Sequence, residues 1–246
     1  YQNAAQLSGN VSNSFKGTFD GDGHTISGLK IVNISKNLQN VGLFGVLDGA
    51  VVKKLAIEDA RVYGYNHVGI LAGQIKGESV ITDVTVEGTA AANTSSGGYA
   101  SDAAVGGLAG KISGSNSGSR TTIENVTATV NTVNLGATSK TGGIAGEVSN
   151  AYIVDTSVSA TGNNILGRYY VGGIVGAMSS GTSLYNVSVD GTIGGNGAYA
   201  VGGITGYYEG GEIVVARMFG EIGKTNAGTA REGIFIGTRK DSVDMK

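Results

Sequence analysis

The chain has only two histidines, His24 and His67, and they decide the first chemical question. A zinc peptidase helix needs two histidines one turn apart with a glutamate between them, so that both ring nitrogens reach one metal from one face. Neither histidine has such a partner. With no cysteine in the chain, thiolate metal sites, disulfides and cysteine nucleophiles drop out together. General acid and base catalysis needs two carboxylates placed together. Asp20 and Asp22, in the run DGDG, would share a face if the backbone were extended, giving a carboxylate pair or a weak calcium candidate. The same four residues read better as a turn built from residue types that accept positive φ, and Ile31 stands at the twelfth position of a calcium loop begun at Asp20, where an acid is required. The fragment GEIGKT at 220–225 mimics the tail of a phosphate-binding loop, but Met218 occupies the position that motif gives to glycine. No GxSxG signals a strained nucleophile turn. No catalytic residue, metal site or cofactor is expected from these residues.

The constellation left is aromatic. Tyr65, Tyr99, Tyr169, Tyr170 and Tyr199 each stand just ahead of a glycine-rich segment. If those segments are equivalent and stacked, the rings line one edge as flat apolar faces with polar tips, suited to sugar rings or to a protein partner. Packing against one another to seal that edge is the structural alternative.

What would position them is a repeat. The segment VGGIVG at 171–176 returns at 68–73 (VGILAG), 105–110 (VGGLAG), 141–146 (TGGIAG) and 201–206 (VGGITG), with a shorter copy at 41–45 and a worn one at 232–237. The closing glycines are Gly45, Gly73, Gly110, Gly146, Gly176, Gly206 and Gly237, giving steps of 28, 37, 36, 30, 30 and 31 residues. A period near thirty in an apolar, glycine-rich chain is that of a solenoid whose coils bury one another. A second element keeps register with the first, an apolar residue followed by others three and five positions on. It reads Ile26/Leu29/Ile31, Val52/Leu55/Ile57, Ile81/Val84/Val86, Ile123/Val126/Ala128, Ile153/Thr156/Val158, Leu184/Val187/Val189 and Ile213/Ala216/Met218. The last two positions of a triple have the period of a strand, and the gap of three before them implies a bend. Asp83, Asn125, Asp155 and Asn186 stand at that bend in four successive copies. Short Asx side chains tolerate the left-handed conformation there, and alternating Asp with Asn separates like charges.

The expected fold is therefore all-β, a β-solenoid of about seven coils of roughly 30 residues, with the right-handed parallel β-helix as the default for crossover connections. At about 4.8 Å per coil the rod is roughly 34 Å long. Each coil runs bent strand, variable loop, VGGIVG strand. Glycine inside a strand needs a reason, either φ values barred to other residues or close approach of facing sheets. The longer steps place insertions around 89–104, 113–121 and 138–141. Residues 1–14 form a cap or lead-in, 15–237 the repeats and 238–246 a tail, and 15–28 reads strand, tight turn, strand. The chain opens at Tyr1 without an initiator methionine or signal peptide, which suggests an excised piece.

Of 246 residues 40% are apolar, 44 are glycine and none is proline. That is too apolar for disorder and the wrong pattern for collagen. Seventeen basic and nineteen acidic residues give a net charge of −2 with no long single-sign run, so neither nucleic acid nor an anionic membrane is an expected partner. No apolar run reaches the roughly 18–20 residues of a membrane span.

The opening FDGDGHTISGL together with repeated VGGLAG and I-x-N-V-x-V elements resembles the GLUG-repeat regions of bacterial surface and secreted proteins, over roughly residues 15–237. Such regions occur in immunoglobulin A-cleaving and related zinc metallopeptidases, where the solenoid lies apart from the catalytic domain. The Thr141 and Glu232 copies depart from the pattern by losing the leading valine. The resemblance implies a non-catalytic module of a larger exported chain, a rigid spacer or an adhesive face for a host glycoprotein or glycan, in contact with other domains of the same polypeptide. The alternative is a polysaccharide lyase or glycoside hydrolase on a parallel β-helix. It would need acids clustered with a basic residue, and Asp20, Asp22, Asp59, Asp83 and Asp155 are not expected at one height with lysine or arginine.

Overall fold

The computed structural model describes residues 13–33, 36–92, 102–115, 118–195, 197–223 and 231–240. All of the regular structure described is β, and every strand pairing in it is parallel. Three sheets run the length of the solenoid, each seven rungs deep. The long sheet stacks Val51–Gly64, Val80–Ala92, Thr121–Asn134, Ala151–Gly167, Ser183–Gly194 and Glu212–Ile222, and its first rung is broken into Thr18–Asp20, Thr25–Ser27 and Lys30–Val32. The other two sheets are built from short strands, such as Tyr170–Gly172 and Val175–Met178, on either side of a corner.

The glycine segment is thus two strands rather than one. Its first valine and glycine end one sheet, its last two residues begin the next, and the Gly-Ile between them turns the corner. Backbone hydrogen bonds continue from coil to coil around that turn, Gly107 N to Gly143 O at 2.9 Å, Gly143 N to Gly173 O at 3.1 Å, Ile144 N to Ile174 O at 2.9 Å. Of the two reasons glycine could be required, close approach is the one realised. A Cβ on Gly143 would strike the carbonyl oxygen of Gly173 in the next coil and a methyl of Val158 on the facing long sheet. The next residue, Leu71, Leu108, Ile144, Ile174 or Ile204, points inward and is fully buried.

The apolar triples lie in register over six coils. Val52, Ile81, Ile123, Ile153, Leu184 and Ile213 form one ladder, and Ile57, Val86, Ala128, Val158, Val189 and Met218 another. Each fully buried Ile, Leu or Val contributes about 1.5–3 kcal/mol, and nearly all of these interior positions are buried. Thr156 sits in the middle ladder at 1% exposure and donates its hydroxyl to Val154 O at 2.9 Å, so the polar group is not orphaned. The first coil departs from the expected register. Phe19 occupies the Val52 position, while Ile26 pairs with Ile57 and Ile31 with Val62. The strand, turn, strand expected at 15–28 is present, yet both strands pair with the second coil instead of with each other. Phe15, Phe19 and Phe44 cluster at this end, with Phe44 5.2 and 5.6 Å from the other two rings.

The bend is where the triples place it. Lys54, Asp83, Asn125, Asp155, Asn186 and Val215 all have φ between 51° and 56° or, for Asp155, 49°, a left-handed conformation that Asx adopts more readily than a β-branched residue. The long strands extend beyond the third apolar position, so 89–92 belongs to a strand and not to an insertion. The last short strand, Ile236–Arg239, runs two residues past the expected start of the tail.

Candidate functional site

The corner makes the outer surface concave. The residue that precedes the motif valine and the residue seven positions later face each other across the turn and form two facing ladders. One ladder is Asn40, His67, Ala104, Lys140, Tyr170, Ala200, Arg231; the other includes Gln74, Lys111, Glu147, Ala177, Tyr207, Thr238. In the earlier coils this face is ionic. Lys140 reaches Asp102 and Glu147 at 2.7 Å each, and Lys111 reaches Glu147 at 2.7 Å. Burial works to raise the Glu147 carboxyl, but the two ammonium groups outweigh it and hold it at about 2. Burial, with a smaller contribution from Lys111, brings His67 down to about 4, and its Nδ1 lies 2.9 Å from Asn40 Oδ1.

In the later coils the same face is aromatic. Tyr169 and Tyr199 occupy equivalent positions and stack at 4.9 Å with an interplanar angle of 13°. Tyr170 lies one position further on, where it stacks on Tyr207 at 4.6 Å and 15° and meets Tyr169 at 4.5 Å. All four rings are partly exposed. Burial, then the neighbouring Tyr169, pushes the Tyr170 hydroxyl upward, so it stays protonated and able to donate. Arg231 sits over the Tyr199 ring at 5.6 Å and donates to Thr238 Oγ1 at 2.9 Å. Beside them is a pocket of about 270 Å³ lined by Tyr170, Tyr199, Tyr207, Arg231, Thr238, Arg239 and Lys240.

The five tyrosines expected to form one strip are therefore not equivalent. Tyr169, Tyr170 and Tyr199 are brought together. Tyr65 packs on the core, with Lys36 Nζ 6.0 Å from its ring; it precedes Asn66, which sits three coils away from Tyr169, roughly 14 Å at one strand spacing per coil. Tyr99 lies outside the described residues. Tyr207 and Arg231 were not singled out by spacing from the glycine motif, because their relation to Tyr170 and Tyr199 runs across the corner and between coils. The pattern of i and i+7 about each Gly-Gly would have found them.

Asp20 and Asp22 do not share an extended face. Asp22 has φ 49° in a tight turn, its amide donates to Asp20 Oδ1 at 3.0 Å, and Asp20 Oδ2 pairs with Lys53 at 3.1 Å. Those two donors hold the Asp20 carboxyl below its ordinary range. Among the described residues, no group of three or more His, Cys, Asp or Glu is placed to hold a metal ion. Residues 220–222 of the phosphate-loop mimic lie in a strand.

The bend of the long sheet forms a second concavity, a groove of about 660 Å³ whose lining includes Asp83, Glu124, Asn125, Asp155 and Asn186. It does gather three carboxylates, one of them, Glu124, not anticipated. Asp83 and Asp155 are two coils apart, about 9.6 Å at one strand spacing each, with Asn125 between them. Asn125 donates to Asp83 and Asn186 to Asp155, both at 2.6 Å, and Arg217 donates to Asn186 at 2.9 Å. The side-chain amides of Asn125 and Asn186 are thus committed to the ladder.

No family model matches the chain. Over 86 residues, 35% of its length, it is 43% identical to halomucin of Haloquadratum walsbyi, and the match spans 1% of that protein. A solved structure from Bacteroides ovatus assigned as an immunoglobulin A1 protease aligns with a TM-score of 0.61 over 90% of this chain and 68% of that one, at 17% identity. That likeness is one of fold.

Proposed function

We propose that this chain is a repeat module of a larger secreted or surface-anchored bacterial protein of the GLUG-repeat type, a stiff solenoid whose corner face serves as a contact surface for a host glycan or glycoprotein. The observation that carries the reading is the group Tyr169, Tyr170, Tyr199 and Tyr207. Four partly exposed rings converge on one concave face, and such rings offer apolar area with polar tips. The similarity to halomucin over about a third of the chain, and a fold shared with a protein assigned as an immunoglobulin A1 protease, fit an extracellular setting. Catalysis would belong to domains outside the solenoid. The test is binding of the purified chain to an array of glycans and secreted glycoproteins, beside a Tyr170→Ala/Tyr199→Ala/Tyr207→Ala variant with an unchanged far-UV spectrum. Specific binding lost in the variant supports the reading; no binding by the parent chain leaves a spacer alone.

A second reading, a glycoside hydrolase, draws on the three carboxylates of the long-sheet groove. Asp83 and Asp155 stand two rungs apart, about 9.6 Å by strand spacing, and inverting enzymes hold their carboxyl groups roughly 6.5–9.5 Å apart. Release of reducing ends from a polysaccharide panel, abolished by Asp155→Asn, would favour it over the first.

A further inference from the structure

We infer that the pocket beside Tyr199 and Tyr207 selects an acidic sugar, a pyranose carrying a carboxylate or a sulfate; this rests on the reading of the corner face as a glycan contact surface and specifies its ligand. Seven residues line the pocket; three are cationic, Arg231, Arg239 and Lys240, and none is acidic. Lys240 is paired with Glu209 and Arg239 also has a partner, so the anion-binding role falls to Arg231. The Arg231 side chain is exposed, and its guanidinium is held in place by the Tyr199 face and by the bond to Thr238. A guanidinium has five donors, and one goes to Thr238, which leaves an oriented fork of the kind that pairs with carboxylate or sulfate oxygens. Lys240 is tied to Glu209 at 2.8 Å, and Glu209 also accepts from Ser179 at 3.0 Å, so this lysine is neutralised and the primary contact falls to Arg231.

The aromatic part argues for a sugar. Tyr170 and Tyr207 are stacked as one pair and Tyr169 and Tyr199 as another, with Tyr170 and Tyr199 meeting edge-on at 67°. The rings are stacked in pairs and only partly exposed, and the aromatic surface they leave open beside a cation matches a ring with an apolar face and an anionic substituent. At about 270 Å³ the pocket falls just below the roughly 300–1,000 Å³ of sites for drug-sized ligands, which suits one ring at a chain end. The ionic half of the same face does not compete for the anion, because Lys111 and Lys140 are already neutralised by Glu147 and Asp102.

The experiment is calorimetry of the whole chain with matched oligosaccharides, one ending in glucose and one in glucuronate, one ending in galactose and one in galactose 6-sulfate. Both acidic ends, or one of them, should bind at least tenfold more tightly than the neutral partner, and the pair that does so identifies the anion. Arg231→Gln, an exposed substitution, should bring the affinities for the acidic end and its neutral partner to within twofold of each other, and raising the salt should weaken the acidic ligand alone. Equal binding of acidic and neutral ends overturns the charge selection and leaves the contact-surface reading intact. An acidic preference that survives Arg231→Gln, or tighter binding of a tyrosine-sulfate peptide, overturns it as well. Failure of every sugar to bind the parent chain overturns both.

Discussion

Replacing Gly143 with alanine tests the corner itself. At a relaxed position, glycine to alanine stabilises by about 0.4–1 kcal/mol through the unfolded chain. Gly143 is not relaxed: a Cβ there meets the Gly173 carbonyl and Val158 Cγ1 below van der Waals contact and Val158 Cγ2 at 3.0 Å. One obstacle is backbone, bonded to Gly143 itself at 3.1 Å, and cannot move without displacing the next coil. Val158, 3% exposed, cannot turn into solvent. Overpacking costs about 1–3 kcal/mol and sometimes more, and two obstacles in a central coil point to the upper end, a net loss of about 3 kcal/mol. With a urea slope of about 3 kcal/mol per molar, the midpoint falls by about 1 M. The assay is urea titration followed by far-UV dichroism and by tyrosine fluorescence, there being eleven tyrosines and no tryptophan. Gly223→Ala is the control, since its nearest neighbour would be Thr192 Cγ2 at 3.5 Å, and a change within about 0.5 kcal/mol is expected. Identical midpoints for the two variants would refute the claim that glycine is demanded by close approach.

Thr141 stands in a ladder of valines that ends in Glu232, and its buried hydroxyl has no partner among the described residues; Thr141→Val should stabilise by about 1–2 kcal/mol in the same titration. Asn125→Asp would set three carboxylates in a row, each about 4.8 Å from the next, costing about 2 kcal/mol at neutral pH from repulsion and the lost bond to Asp83; the loss should shrink in high salt and below pH 4, read as melting temperature. His67 is held at about 4, mainly by burial, below its ordinary 6.5. The folded state therefore binds fewer protons than the unfolded one between these values, and stability present above pH 6.5 is lost as pH falls toward 4. His67→Gln should flatten the melting-temperature profile across that window.

The repeat, the all-β class and the inward ladders were legible because burial recurs at fixed offsets from a glycine motif. The left-handed bend was legible too, since Asp83, Asn125, Asp155 and Asn186 are the residue types such a conformation tolerates. The first coil was misread because the DGDGHT turn replaces the simple bend, so Phe19 rather than Ile26 takes the Val52 position. The glycine segment looked like one strand since nothing local marks its middle as a corner; the signal is the carbonyl of the next coil, which belongs to another repeat. For the same reason Tyr207 and Arg231 were missed. Proximity to the motif put Tyr65 with the other tyrosines, but one residue of offset turns its ring toward the core.

The central claim is that contact is made on the corner face. Its most direct test is hydrogen exchange of the chain with and without the glycan that binds best on the array. Added protection at 169–172, 199–202, 205–208 and 231–239 is the predicted result. Protection confined to 82–83, 124–125, 155–157 and 186–188 would move the site to the long-sheet groove and contradict the account.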